Sequence, residues 1–410
     1  MNNQKRHSPI FVGLAAWLLA FIVTGCGGGG GTAASTANLA PAATGTVLPG
    51  AAPSGPSGSP TVLTSSPTSA ATNVAISTVT PDNSLAPRSV SATFSEPMNP
   101  ATLVSPATTF TVKETVSGTP VSGSASMDSS NTVATFTPTA PLAANTQFTA
   151  TITTAATDAT GTHLASSVGW SFTTGSQIGQ SPIDLKTAAS FVVLGGTSID
   201  NISTALNPTR VNGHLGMAPP GMTTNVSGFV DSVPAGTGII STGGIQIGAT
   251  VAQAKSDLID ALAKANARTL NPVIVGSSEL SLFTPKGGRP GIYPPGLYTS
   301  GVTLNLNDGN MTLDAQGDPD AVWVFKAGTQ LTVNKTRQVL LVNGAKARNV
   351  FWSLGSSALI MDQVNFKGNI LTGSSVTIGT APGNGTTLEG RALSTSGLQL
   401  NYATINAPAP

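Results

Sequence analysis

Two carboxylates, or a carboxylate beside Arg or Lys, brought to one place would suit acid–base cleavage of a polysaccharide. Beyond position 181 the chain does not spell such a group: Asp184, Asp200, Asp231, Asp257, Asp260, Glu279, Asp308, Asp362 and Glu389 are scattered. Asp314, Asp318 and Asp320 stand close together, in a turn whose Gly-Asp-Pro spelling accounts for them. That turn lacks the spacing and closing Glu of an EF-hand. His7, His163 and His214 are far apart, no Gly-x-Ser-x-Gly elbow stands out beside His214, and no His/Cys cluster offers a zinc site. The expectation is a protein that is not an enzyme and holds neither metal nor cofactor. What the chain does offer is small polar side chains. Stacked short strands lie about 4.7–4.9 Å apart, so one outward residue per rung makes a straight row. Thr suits such a row, because its β-branch holds hydroxyl and methyl in fixed positions. A rigid row can order water into a lattice, whereas charged groups keep their own hydration. Thr332, Asn334 and Thr336 are candidates for one row.

Positioning such a row requires repeated short strands. Residues 311–351 supply them: apolar runs at 321–325, 338–342 and 349–351 are separated by Asp-Ala-Gln-Gly-Asp-Pro, Lys-Ala-Gly and Asn-Gly-Ala turns. Further runs follow at 351–354, 368–371 and 390–393, and at 358–360, 376–378 and 398–400, as equivalent strands of successive rungs. Their spacing is irregular, 15 residues from Phe351 to Phe366 and 22 from Phe366 to Leu388. Residues 183–185 and 191–194 read as the opening strands. Residues 250–268 are the clear helix, with a Thr250/Gln253 capping box and an apolar stripe of Val251, Ala254, Leu258, Leu262 and Ala265. Asp257 is placed mostly off that stripe.

The segment 311–352 resembles the core signature of the microbial β-solenoid ice-binding (antifreeze) proteins. The matching pieces are Leu313-Asp-Ala-Gln-Gly-Asp-Pro319, Ala321-Val-Trp-Val-Phe325, Asn343-Gly-Ala345 and Asn349-Val-Phe-Trp352. Gly291-Ile-Tyr-Pro-Pro-Gly-Leu-Tyr298 resembles the family's turn, and Asn212-Gly-His-Leu-Gly-Met217 its first coil, with His214 where an acid is usual. The resemblance implies an irregular right-handed β-solenoid with a flanking α-helix, and an ice crystal surface as ligand. It also implies a face marked Thr, Ala or Gly, any residue, then Thr or Asn. The best match is Asn384-Gly385-Thr386-Thr387, with Asn365 on the rung before and Asn307, Gly309 and Asn310 as further candidates. Thr387 precedes core residue Leu388 and should point outward. Asp308 and Asp362 depart from the pattern and would set charge on or beside the face. The alternative is a non-ice adhesin or carbohydrate-binding surface module on the same fold.

Residues 73–175 read as a β-sandwich with core residues Phe94, Phe136, Trp170 and Phe172. Thr93-Phe-Ser-Glu-Pro-Met98 and Trp170-Ser-Phe-Thr-Thr174 resemble the bacterial Ig-like domain, which implies a spacer or an adhesive module; the expectation is a spacer, because the pattern exposes no charged or aromatic cluster. Residues 175–181 read as a hinge, and the solenoid is expected over 182–410. The fold class is therefore all-β with one long helix, an Ig-like sandwich followed by the solenoid. Charged residues are 9% of 410, with net charge +1, which leaves no basic block for nucleic acid. No protein partner is evident. Residues 1–25 read as a signal peptide: Lys5 and Arg6, then an apolar run from Ile10 to Val23. Val23-Thr-Gly-Cys26 resembles a bacterial lipobox, which implies lipidation of Cys26 and an outward-facing envelope protein. Residues 26–72, rich in Gly, Ser, Thr, Pro and Ala, read as a disordered linker.

Overall fold

The computed structural model describes residues 58–104, 108–204, 206–218, 225–230, 237–276, 279–285, 289–381 and 385–409. The signal peptide, Cys26, the first part of the linker, Asn384 and Asp231 lie outside the described residues.

The N-terminal domain is a sandwich because its strands alternate apolar and polar residues and need a second sheet to cover the apolar side. Val62–Ser66, Val90–Phe94, Val133–Pro138 and Gly123–Met127 form an antiparallel four-stranded sheet. Phe110–Glu114, Gln147–Ile152 and Val168–Thr173 form the three-stranded partner. Phe94, Phe136, Trp170 and Phe172 are buried between them, joined by Phe110 and Phe148. Two stretches differ from the sequence reading. Val62–Ser66, counted there with the linker, pairs along Val90–Phe94. Ile178–Gln180, read as hinge, forms a parallel strand with Ser77–Val79.

The C-terminal domain is a three-faced stack of parallel strands. One face holds Gly296–Ser300, Trp323–Ala327, Val350–Leu354 and the ends of Asn365–Thr372 and Thr386–Ser394. The second is a seven-stranded sheet. The third carries Met311–Asp314 with Val339–Val342, and the beginnings of Asn365–Thr372 and Thr386–Ser394. Inward side chains fill the interior with an aromatic stack: Tyr298–Phe325 at 5.1 Å, Phe325–Trp352 at 4.3 Å and Trp352–Phe366 at 5.0 Å between centroids. Rung order does not follow chain order. Phe191–Gly195 and Ser198–Asp200 stack on the last C-terminal rung, with Val193 beside Ala392 and Ile199 beside Leu398. Residues 183–185, read as a strand, instead lead into a 3-10 turn, Lys186–Ser190. The register also corrects one equivalence: Phe351 pairs with Asn369, one step beyond Gly368.

The helix Ala249–Ala267 lies on the first face. Val251, Ala254, Leu258, Ala261, Leu262 and Ala265 pack on Leu297, Val324, Phe351, Leu371 and Leu393. The capping box is not formed: Gly248 is the N-cap, without a side-chain hydrogen bond, and Gln253 donates to Asp257 at 3.0 Å. Asp257 is buried, because Thr187 from the preceding turn gives it an N–H and a hydroxyl hydrogen bond. At the other end Lys326 donates to the Asn266 and Arg268 carbonyls at 2.6 and 2.8 Å, a cation placed on the negative end of the helix.

Candidate functional site

The seven-stranded face is built from the shortest strands of the stack, three residues each over most of its length. In most, the outer two residues point inward and the middle one outward. Leu304/Leu306, Leu331/Val333, Ala358/Ile360, Val376/Ile378 and Leu398/Leu400 are all buried. The outward residues stack in one register: Asn305, Thr332, Leu359, Thr377 and Gln399, then Asp200 and Ser227, which end their strands after the buried Ile199 and Val226. A second row precedes it. Leu304 N–H donates to the Gln330 carbonyl at 2.9 Å, Leu331 N–H to Ser357 at 3.0 Å and Ala358 N–H to Ser375 at 2.9 Å, which aligns those residues with Thr303. No register shift interrupts these pairings. Gln330 Nε2 donates to Thr332 Oγ1 at 3.1 Å and holds that hydroxyl in place.

The corner before this face keeps its rungs close. A Cβ on Gly355 would sit 2.2 Å from the Gly328 carbonyl oxygen, and one on Gly328 would sit 2.2 Å from that of Gly301. Only glycine permits that approach. Among the described residues the row carries charge only toward its two ends: Asp200, which accepts from Ser227 Oγ at 2.7 Å, and Glu279, which bridges Asn305 and accepts the Asn307 N–H at 3.0 Å.

The third face has a different chemistry. Asn365, Thr387, Thr404 and Arg210 stack in one row, with Asn310 joined through the Gln338 N–H at 2.9 Å. The next row holds Lys367, Glu389, Asn406 and Asn212, with a 2.8 Å ion pair between Lys367 and Glu389.

The residues singled out in the sequence therefore scatter. Thr332 lies on the seven-stranded face. Asn365 and Thr387 share the third face, where Thr387 Oγ1 donates to Asn365 Oδ1 at 3.2 Å. Thr386 is a correction: it is wholly buried, and its hydroxyl donates to the Met361 carbonyl at 2.7 Å. Strand alternation puts it inside with Leu388, leaving Thr387 outside. Gly385 is exposed just ahead of that strand. Asn334 and Thr336 belong to the corner after the strand, where Asn334 Oδ1 accepts the Lys335 N–H at 2.8 Å and Thr336 has φ of 66°. Asn307 and Gly309 lie in another corner, the Asn307 N–H donating to the Glu279 carboxylate at 3.0 Å, and Asn310 follows them. Asn305, Ser357, Ser375, Thr377 and Gln399 were missed. For all but Asn305 the signal was available in the runs at 358–360, 376–378 and 398–400, which pair in the register read for them.

Asp362 is a second correction. It does not lie on a face; its side chain is buried in a corner. Its carboxylate accepts from Thr380 N–H at 2.6 Å, Thr380 Oγ1 at 2.7 Å and Ala381 N–H at 2.8 Å, with Lys335 at 3.6 Å. Burial pushes this carboxyl up, but those hydrogen bonds and the ammonium outweigh it and hold it below the ordinary 3.8. A lowered folded-state value stabilises the fold above the unfolded value and loses that contribution as pH falls through the folded one. Asp362→Asn is therefore expected to cost about 1.5–3 kcal/mol at pH 7. Thermal melts at pH 7 and pH 3 check it: the gap between wild type and variant should narrow in acid.

Residues 193–406 match the ice-binding-like family, and residues 57–174 match the bacterial Ig-like domain. The chain is 33% identical over 214 residues to the ice-binding protein of Nostoc sp. (strain HG1), across 52% of this chain and 69% of that protein. It is 36% identical over 86 residues to ice-binding protein 1 of Shewanella frigidimarina (strain NCIMB 400), across 21% of this chain and 10% of that much longer protein. Among solved structures, an ice-binding protein from an Antarctic biological consortium aligns with 57% of this chain and 94% of its own, at 32% identity and a TM-score of 0.47.

Proposed function

Because the chain belongs to the ice-binding-like family, we propose that it binds ice, and that the seven-stranded face is the surface that does so. One observation carries the choice of face: Asn305, Thr332, Leu359, Thr377 and Gln399 stand in register on an unshifted parallel sheet, five successive rungs with no charged group among them. Each water contact from such a row is weak. A rigid surface loses little entropy on binding, so weak contacts add up. The third face, with Lys367 and Glu389 at its centre, keeps its own hydration and is the poorer template. Its amides and paired charges are what the alternative reading would use, since they can hydrogen-bond sugar hydroxyls. Single-crystal growth tests the proposal. Ice grown with the protein should become faceted, and unfaceted discs at every protein concentration would reject ice as the ligand.

The display reading belongs to the same proposal. Cys26, once lipidated, would hold the chain at the cell envelope facing outward, with the Ig-like domain between tether and solenoid. Diacylation anchors stably where one chain does not. Cys26→Ser is expected to move the protein from the membrane pellet to the soluble fraction. Sedimentation of the variant with membranes in detergent-free buffer would reject the anchor.

A further inference from the structure

The segment between the two domains reads as a hinge in the sequence, yet the fold fastens it from both sides. Arg88 of the sandwich domain directs its guanidinium to both oxygens of Asp318, at 2.8 and 3.0 Å, and stands 3.6 Å from Asp320. The Ser66 hydroxyl donates to Asp320 and the Thr68 hydroxyl to the Gly317 carbonyl. Thr72 N–H donates to the Gln316 carbonyl at 3.2 Å. The acidic turn that did no chemistry in the sequence is thus the seat on which the sandwich rests.

Two further clamps lie at the end of the long helix. Arg268, 1% exposed, donates to the Ser181 carbonyl at 2.6 Å, the Pro182 carbonyl at 3.1 Å, Ser181 Oγ at 3.1 Å and Gln180 Oε1 at 3.3 Å. Asn83 Oδ1 accepts from the Thr269 and Leu270 N–H groups at 3.0 and 3.4 Å, and its Nδ2 donates to Thr269 Oγ1 at 3.0 Å.

We propose that the Ig-like domain and the solenoid are one rigid body, so that the sandwich sets the direction of the solenoid's faces instead of acting as a loose spacer. The fork of Arg268 reaches the carbonyls of two successive residues, which fixes residues 180–182 against the helix end. Arg88 Nη2 donates to both oxygens of Asp318 and to Ser66 Oγ at 3.1 Å, so one charge-assisted contact ties the sandwich to a buried carboxylate of the solenoid. Opening the joint would strip a buried cation or a buried carboxylate of its partners on each side, so the open state is disfavoured. Polar interfaces between domains usually permit motion. Here the clamps sit on two separate solenoid segments, 268–270 and 316–320, and releasing one leaves the other. The inference is independent of what the solenoid binds.

Distance measurements on the full chain test it. Spin labels at Val116→Cys and Ile259→Cys, in a Cys26→Ser background, report between exposed sites on the two domains. The expected result is one narrow distance distribution and a single calorimetric transition. Arg88→Ala with Arg268→Ala should broaden the distribution severalfold and split the transition in two. A broad distribution in the otherwise unaltered chain would overturn the proposal, and that outcome is readable even if the double variant fails to fold. A double variant that folds and keeps the narrow distribution would overturn the assignment of the clamps.

Discussion

Thr332→Tyr is expected to remove most of the chain's ability to shape ice while leaving the protein folded. Thr332 stands between Asn305 and Leu359 in the row and points outward, while Leu331 and Val333 beside it are fully buried. The ring therefore enters solvent, and stability should move by about 0.5 kcal/mol or less. On the surface the effect is large. A tyrosine projecting from the middle of the row holds ordered water away from Asn305 and Thr377 as well, and neighbouring strands paired in register cannot bend to meet it. Thermal hysteresis should fall to a small part of the wild-type value, and faceting should weaken with it. Thr387→Tyr is the paired comparison, since Thr387 stacks on Asn365 and Thr404 on the third face. It should keep near-full activity. The reverse pattern, Thr387→Tyr inactive and Thr332→Tyr active, would move the site to the third face. Circular dichroism on both variants separates loss of binding from loss of fold.

Leu258→Asp is expected to be the most destabilising single change on the helix. Leu258 is 0% exposed, within an apolar cluster that includes Phe191, Leu194, Phe351, Leu371 and Leu393. An unpaired charge at such a site costs roughly 3–5 kcal/mol, by analogy with broken buried pairs. For a domain of this size that is a fall in Tm of roughly 6–20 °C. The same substitution at Ile259, one position along and 51% exposed, should change little. A Tm unchanged by Leu258→Asp would mean that the helix does not pack on the solenoid in solution.

Both predictions rest on elements that a local stretch of sequence encodes. The stripe of Val251, Ala254, Leu258, Leu262 and Ala265 follows the helix period, and all five residues are buried. Ala358–Ile360 and Val376–Ile378 alternate as strands do, and the two runs pair as read. The sandwich core of Phe94, Phe136, Trp170 and Phe172 was legible for the same reason: alternation within five or six residues shows which side is apolar.

Which polar residues share a face was decided by the tertiary structure. Unequal corners separate the strands, so register cannot be counted along the chain. It is set by hydrogen bonds between segments 15 to 30 residues apart, or between residues as distant as Val193 and Ala392. A shift of one residue exchanges inside for outside, which is why Thr386 is buried and Thr387 is not. Asp362 and Asp257 read as surface charges because their partners, Thr380 and Thr187, lie outside any local window. The same holds for Asp318, whose partner Arg88 comes from the other domain. By itself the sequence determined the kind of elements, the solenoid class and a stock of small polar side chains. Only the folded chain decided which of them stand in one row, because a row belongs to the pairing between rungs and to no single rung.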